Sequence, residues 1–268
     1  MSVVAVANQK GGVGKTTTAV NLAAATAEMG RRTLVIDADA QANATSALGA
    51  QHASLRMFDA LLGEASLRDC IVATSWPLLD VAPSSMDLVA AEMELASRTD
   101  REYVLRTLLL DVAPEYELVL IDCGPSLGLM TLNALAAADG AIAPVQCEYL
   151  ALEGLTALLE TVRRVQTHVH PGLHLLGVIA TMYDGRTRLS QDVATQLKSH
   201  ISSTFDTIIP RSIRLSEAPS HQRPIIDYAP TSRGAEAYRE LAGELLRRLA
   251  ALPPSTIYRG GVVDGVKA

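Results

Sequence analysis

The run Asn8-Gln9-Lys10-Gly11-Gly12-Val13-Gly14-Lys15-Thr16-Thr17 constrains this chain more than any other part of it, because it joins an apolar stretch, Val3–Ala7, to a stretch of helical period, Lys15–Met29. A strand that turns through glycines into a helix points several backbone N–H groups into one concavity. The helix N-terminus adds partial positive charge there, and a lysine in its first turn adds a full one, so the arrangement suits phosphate. Lys15 has that position, and the Thr16 hydroxyl beside it has the chemistry and the offset of a Mg2+ ligand. Gly11, Gly12, Val13, Gly14 and Thr17 complete the predicted cradle. A glycine-rich turn that only joined strand to helix would have no use for Lys and Thr at these offsets. The run departs from G-x-x-x-x-G-K-[ST] in two places: Gln9 holds the first glycine position, and a second lysine, Lys10, follows it.

Beyond this loop, short Val-, Ile- and Leu-rich runs alternate with longer segments of helical period. That predicts an α/β fold with a predominantly parallel central sheet flanked by helices. Predicted strands are Val3–Ala7, Thr33–Ile36, Leu78–Val81, Leu118–Ile121, Gly140–Pro144, Leu175–Met182 and Thr207–Ile209. Predicted helices are Lys15–Met29, Asp87–Leu110, Leu127–Ala138, Leu150–His168, Leu189–Ile201 and Gly234–Leu252. A length of 268 residues with 49% hydrophobic content suits one domain with a full core, expected over residues 1–252. Pro253-Pro254 stops the last helix, and the glycine-containing end is expected to be a flexible tail over residues 253–268.

The second predicted strand runs out into Asp37-Ala38-Asp39, and period-two spacing puts both acids on one side where the chain leaves the sheet. In open α/β sheets that edge, beyond the strand C-termini, is where ligands bind. Paired there beside the phosphate loop, Asp37 and Asp39 are expected to hold Mg2+ through water and to orient an attacking water. The aliphatic run Leu118–Ile121 delivers a third acid, Asp122, to the same edge, the Walker B arrangement for a further group of the metal sphere.

Together these motifs resemble the deviant Walker A ATPases, the group that contains ParA, MinD and the nitrogenase iron protein. Lys10 carries the likeness to the group. The segments Asp37–Thr45, Thr181–Thr187 and Ile209–Ser220 are similar to the ParA/Soj type in particular, and the likeness extends from about Val3 to Leu249. The resemblance implies a P-loop NTPase fold that hydrolyses ATP to ADP and phosphate with Mg2+, and an ATP-dependent homodimer in which Lys10 reaches across to the other subunit's phosphates. Lys10 and Asp39 are then the catalytic pair. Pro210 and Arg211 are implied to lie near the adenine, and the lack of a guanine-reading N-K-x-D favours ATP over GTP. The implied partners are a ParB/Spo0J-type centromere-binding protein and nonspecific double-stranded DNA, with the role of partitioning a chromosome or plasmid. A cytoplasmic, nucleoid-associated location follows. Three residues depart from the family pattern, Ala40 for proline, Ala42 for glycine, and Gly124 for the first of two prolines after Asp122.

A formal net charge of -6 speaks against a chain whose whole surface grips nucleic acid. Between Arg186 and Arg223, however, six basic residues stand against three acids. No aromatic stacking platform accompanies them, so phosphate contact is expected, with Arg188 and Arg214 contributing. The phosphate loop begins at residue 8, which leaves no room ahead of it for a helix-turn-helix, so operator binding is not expected. Membrane attachment is not expected either: the last helix carries Tyr238, Leu241, Leu245, Leu249 and Leu252 at core spacing and ends in Arg247-Arg248 before a Pro-Pro tail. Cys70, Cys123 and Cys147 have no C-x-x-C spacing and read as buried thiols, and the six histidines read as surface groups. A metabolic ligase is the rival enzyme reading; an iron–sulphur reductase would need a different cysteine spacing.

Overall fold

The computed structural model describes residues 1–148, 151–253, 255, 257 and 258, without the side chains of 151–154. Seven strands form one sheet among them: β1 Ser2–Val6, β2 Thr33–Ala38, β3 Val72–Ala73, β4 Leu79–Ala82, β5 Leu118–Cys123, β6 Gly140–Gln146 and β7 His174–Thr181. Their order is β3-β4-β2-β5-β1-β6-β7. All neighbours are parallel except β3 with β4.

Helices cover both faces, and the strand sequences explain why. Val3, Ala5, Leu34, Ile36, Val119 and Ile121 enter one core layer, whereas Val4, Val6, Val35, Leu118 and Leu120 enter the other. Successive side chains point to opposite faces, so a strand buried on both sides must be apolar throughout. The second layer also holds the helix Lys15–Glu28 against the last helix, Arg233–Ala250. Between them the Thr18 hydroxyl lies 3.3 Å from that of the buried Tyr238.

Two predicted elements differ in the structure. Asp87–Leu110 is two helices, Leu88–Leu95 and Val104–Val112. The break falls where Ser97 donates back to the Glu94 carbonyl and the Arg98 guanidinium clasps Asp100 at 2.9 and 2.7 Å, side-chain bonds that compete with a continuing helix. Thr207–Ile209 is no strand. Phe205 and Ile209 donate to Val178 and Ala180 of β7, four residues spanning two, so the ladder cannot run on. Glu244 takes the Asp206 and Thr207 amides instead, both at 3.0 Å.

Packing also continues past Leu252. Ile257 is buried, and the Tyr258 hydroxyl donates to the Ala137 carbonyl at 2.6 Å, while most of the expected flexible tail lies outside the described residues. All three cysteines are buried. His170 is buried too, contrary to the surface expectation, and burial first, then Arg106, pulls its pKa down to about 4.

Ala42 adopts a left-handed backbone, φ 51° and ψ 38°, at the point where the family pattern has glycine. An L-residue there costs about 1–2 kcal/mol, partly offset by the roughly 0.4–1 kcal/mol that a glycine loses through unfolded-chain entropy. Ala42→Gly is therefore expected to stabilise the domain by about 0.5–1 kcal/mol and raise Tm by about 1–4 °C. A thermal unfolding scan showing a lower Tm would dismiss strain at this turn.

Candidate nucleotide site

The phosphate loop leaves β1, which lies between β5 and β6 in the interior of the sheet. Asn8 anchors its start: the side-chain amide donates to the Pro144 carbonyl at 2.8 Å, and its oxygen accepts from the Lys10 amide at 3.0 Å. Gly12 and Gly14 have φ of 71° and 91°, which only glycine adopts without strain, and the turn between them directs backbone N–H groups inward. Thr181 at the end of β7 holds the far side by donating to the Val13 carbonyl at 2.8 Å.

Lys15 lies 7% exposed, with its ammonium on the Lys10 carbonyl at 3.1 Å. Burial lowers its pKa, opposed by the charges of Asp122, Cys123 and Asp39. The Lys10 ammonium, by contrast, is half exposed and pairs with no carboxylate among the described residues.

Strand pairing sets the acids. Asp122 on β5 is in register with Val6 of β1 and with Asp37 of β2, so both carboxylates arrive beside the loop. They are not equivalent. Asp37 accepts from the Thr45 amide and hydroxyl at 2.8 and 2.7 Å through Oδ2, and from the Asp39 amide at 3.2 Å through Oδ1. Thr45 in turn accepts from the Ser84 amide, so Asp37 ties the loop after β2 to the sheet. Burial raises its pKa to about 6.

Asp122 is fully buried, and neither of its oxygens has a hydrogen-bond partner among the described residues. Its pKa is raised well above the usual carboxylate value by burial first and by Asp37 second, while Thr16 and Lys15 act in the opposite sense. A buried carboxylate with two open acceptors next to a threonine hydroxyl is a donor set that fits a hydrated Mg2+. Asp37 keeps one open acceptor position on Oδ1.

Asp39 faces the cleft. Its Oδ1 accepts from the Gln41 amide at 3.1 Å, and its neighbour across the gap is Gly124, where an added Cβ would come within 3.2 Å of that oxygen. Gly124 is thus the space Asp39 occupies, which the sequence showed only as a missing proline.

Gly11, Gly12, Gly14, Lys15, Thr16, Thr17 and Asp39 line one cleft of about 460 Å³. A second cavity shares Gly14, Thr17, Met182 and Pro219 with it and is closed by Pro210 and Arg211. Met182 was not singled out from the sequence. It holds a left-handed backbone, φ 53°, between the two cavities, and β-strand patterning carries no signal for that. Arg223 and Asn21 in the cleft wall were missed for the same reason, since their apposition is tertiary.

The basic stretch is less cationic than its composition. Each of its six bases faces an acid: Arg186 Asp184, Arg188 Asp192, Lys198 Asp206, Arg211 Glu148, Arg214 Glu217 and Arg223 Asp227. Arg188 and Arg214 are exposed, at 92% and 63%. The concave basic groove is lined instead by Arg186, Arg211 and Arg233.

A phosphate cradle, a buried lysine and carboxylates converging on one edge of a parallel sheet make this a P-loop nucleotide hydrolase in architecture. The sequence model of the AAA-domain family matches residues 1–175. Sporulation initiation inhibitor protein Soj of Bacillus subtilis is 50% identical over 246 residues, covering 91% of this chain and 97% of that protein. Chromosome partitioning protein ParA of Caulobacter vibrioides is 46% identical over 253 residues, covering 92% and 95%. The chain belongs to the Soj/ParA family of chromosome-partitioning ATPases. Among solved structures, cobyrinic acid a,c-diamide synthase from Mycobacterium smegmatis with bound ATP analog and magnesium is 37% identical with a TM-score of 0.82, covering 96% of this chain and 100% of that one. The cell division ATPase MinD of Pyrococcus furiosus is 25% identical with a TM-score of 0.77, covering 92% and 98%.

Proposed function

We propose that this chain is an ATP-driven dimerising switch: it binds ATP with Mg2+, pairs face to face with a second copy, holds DNA without regard to sequence, and releases it when a ParB-type partner stimulates hydrolysis. The observation that carries the reading is the unpartnered Asp122 carboxylate beside Thr16 and the buried Lys15. Thr16, and Asp122 and Asp37 through water, would hold Mg2+, which would offset charge on the terminal phosphates. Loop amides and Lys15 bind the phosphates. Asp39 accepts a hydrogen bond from the attacking water and orients it, and Lys10, whose ammonium pairs with no carboxylate among the described residues, serves the opposite subunit. Pro210 and Arg211 bound the space beside the loop that suits the adenine.

ATP turnover measured alone, with DNA, and with DNA plus the ParB-type partner tests this. Stimulation is expected only with both. The likeness to a diamide synthase favours one second reading, a ligase that uses ATP to amidate a carboxylic acid. Turnover that needs cobyrinic acid and ignores DNA would select it.

For DNA, two copies of Arg188 and Arg214 on one duplex would neutralise roughly four phosphates, giving a slope of log affinity against log salt of about -3.6. Exposed pairs such as Arg214–Glu217 are worth about 0–1 kcal/mol, so phosphate can displace the acid. Arg214→Ala in the hydrolysis-blocked dimer is expected to shrink the slope by about 2 and to weaken all sequences alike. An unchanged slope, or equal affinity with ADP and ATP, would remove these residues from the interface.

A further inference from the structure

The helix Leu88–Leu95 is apolar on two sides. Leu88, Ala91 and Leu95 are buried in the core. Opposite them, Met86 in the entering turn, Val89, Ala90 and Met93 recur at helical spacing and face solvent, with Met86 62%, Val89 47% and Met93 75% exposed. A short surface helix needs only one apolar stripe to dock on its own domain. The second stripe, two of its four members adaptable methionines, has the composition of a surface that receives another helix.

Charge selects the occupant. Residues 84–97 contain Asp87, Glu92 and Glu94 and no Lys, Arg or His. The next arginines, Arg98 and Arg101, are taken up by Asp100 and Glu102. A second copy meeting this face across a two-fold axis would set acids against acids, which is penalised. A basic amphipathic segment would place its apolar side on the methionines and its cations on the acidic rim.

The same helix touches both loops of the nucleotide site. Glu92 Oε1 accepts from the Met130 amide at 3.0 Å, where the segment after Asp122 enters its helix. The Gln41 side-chain amide lies 3.9 Å from the Met86 sulphur, and the Gln41 backbone amide donates to Asp39. We propose that the Met86–Met93 face is the docking site for a basic amphipathic segment of the stimulating partner, and that its occupancy reaches Asp39 and Asp122 through Gln41 and Glu92. This rests on the partner-stimulated ATPase reading above.

The native cysteines are all buried, so a bimane label on an Ala90→Cys variant, made in the parent, Met93→Glu and Glu94→Lys backgrounds, reports this face alone. The probe is a synthetic peptide of leucine and lysine at helical spacing, with a scrambled control that has no apolar face. With ATP and DNA present, the helical peptide is expected to shift the bimane emission saturably and raise ATP turnover. Met93→Glu should raise its Kd about tenfold and leave basal turnover unchanged, and Glu94→Lys should weaken binding while flattening its salt dependence. An unmoved label, equal Kd for Met93→Glu and the parent, or equal binding of the scrambled peptide would overturn the proposal. So would loss of the ATP-dependent dimer in Met93→Glu, which would make the stripe a self-interface. Failure of the underlying reading looks different: the unmodified chain would then hydrolyse no ATP under any of these conditions.

Discussion

Lys15→Ala is expected to abolish measurable nucleotide binding, with an affinity loss of about 100-fold or more, whereas Lys10→Ala keeps ATP affinity within about threefold. The two lysines stand five residues apart and contribute to different events. Lys15 is 7% exposed, and its ammonium is already drawn into the loop by the Lys10 carbonyl. Its lowered pKa reflects desolvation that bound phosphate would offset. Charge-assisted bonds to phosphate are roughly twice as strong as neutral ones and stronger still away from water, so losing them costs about 3 kcal/mol or more. Among the described residues Lys10 bonds through its backbone alone, the amide to Asn8 and the carbonyl to Lys15. Its side chain should matter once a second subunit arrives, so Lys10→Ala should bind ATP as a monomer and hydrolyse little. Calorimetric titration with ATP and size-exclusion chromatography separate the two variants. Normal dimerisation and turnover by Lys10→Ala would return its side chain to a surface role.

Much of this site was legible in the sequence because its chemistry sits at fixed offsets from regular elements. The phosphate loop follows β1, and Asp37, Asp39 and Asp122 follow apolar runs, so strand assignment alone put them on one edge. What was not legible depends on contacts between distant segments. Gly124 read as a lost proline, yet in space it is the clearance beside Asp39. Asp37 and Asp122 read as equal metal candidates, but Thr45 occupies one and leaves the other bare. The basic stretch read as a net cation because counting along the chain omits Asp184, Glu148 and Asp227, which lie outside it or at its edge and close on Arg186, Arg211 and Arg223. Thr207–Ile209 had a strand's composition, and the Glu244 carboxylate took the Asp206 and Thr207 amides in place of a ladder.

Asp39→Ala is expected to lower kcat by about 100- to 1000-fold, leave ATP affinity equal or tighter, and trap the ATP-bound dimer. Among the described residues the carboxylate accepts one hydrogen bond, from the Gln41 amide, so its removal leaves no other described donor stranded. It also takes one negative charge from beside the phosphates, which favours the ground-state complex. On the proposed mechanism, what disappears is the acceptor that would orient the attacking water, an interaction made in the transition state and therefore felt in kcat rather than KM. Asp37→Ala is the instructive contrast. There the Thr45 amide and hydroxyl lose their buried acceptor, and each unsatisfied group costs about 1–3 kcal/mol, so that variant should lose stability before any kinetic role can be read. Single-turnover hydrolysis, with chromatography in ATP and a thermal scan of both variants, distinguishes them. A folded Asp39→Ala protein that turns over ATP at the parental rate would move the water-orienting role to another residue. Asp122, buried beside Asp37 in the sheet with no hydrogen-bond partner among the described residues, would be the next to test.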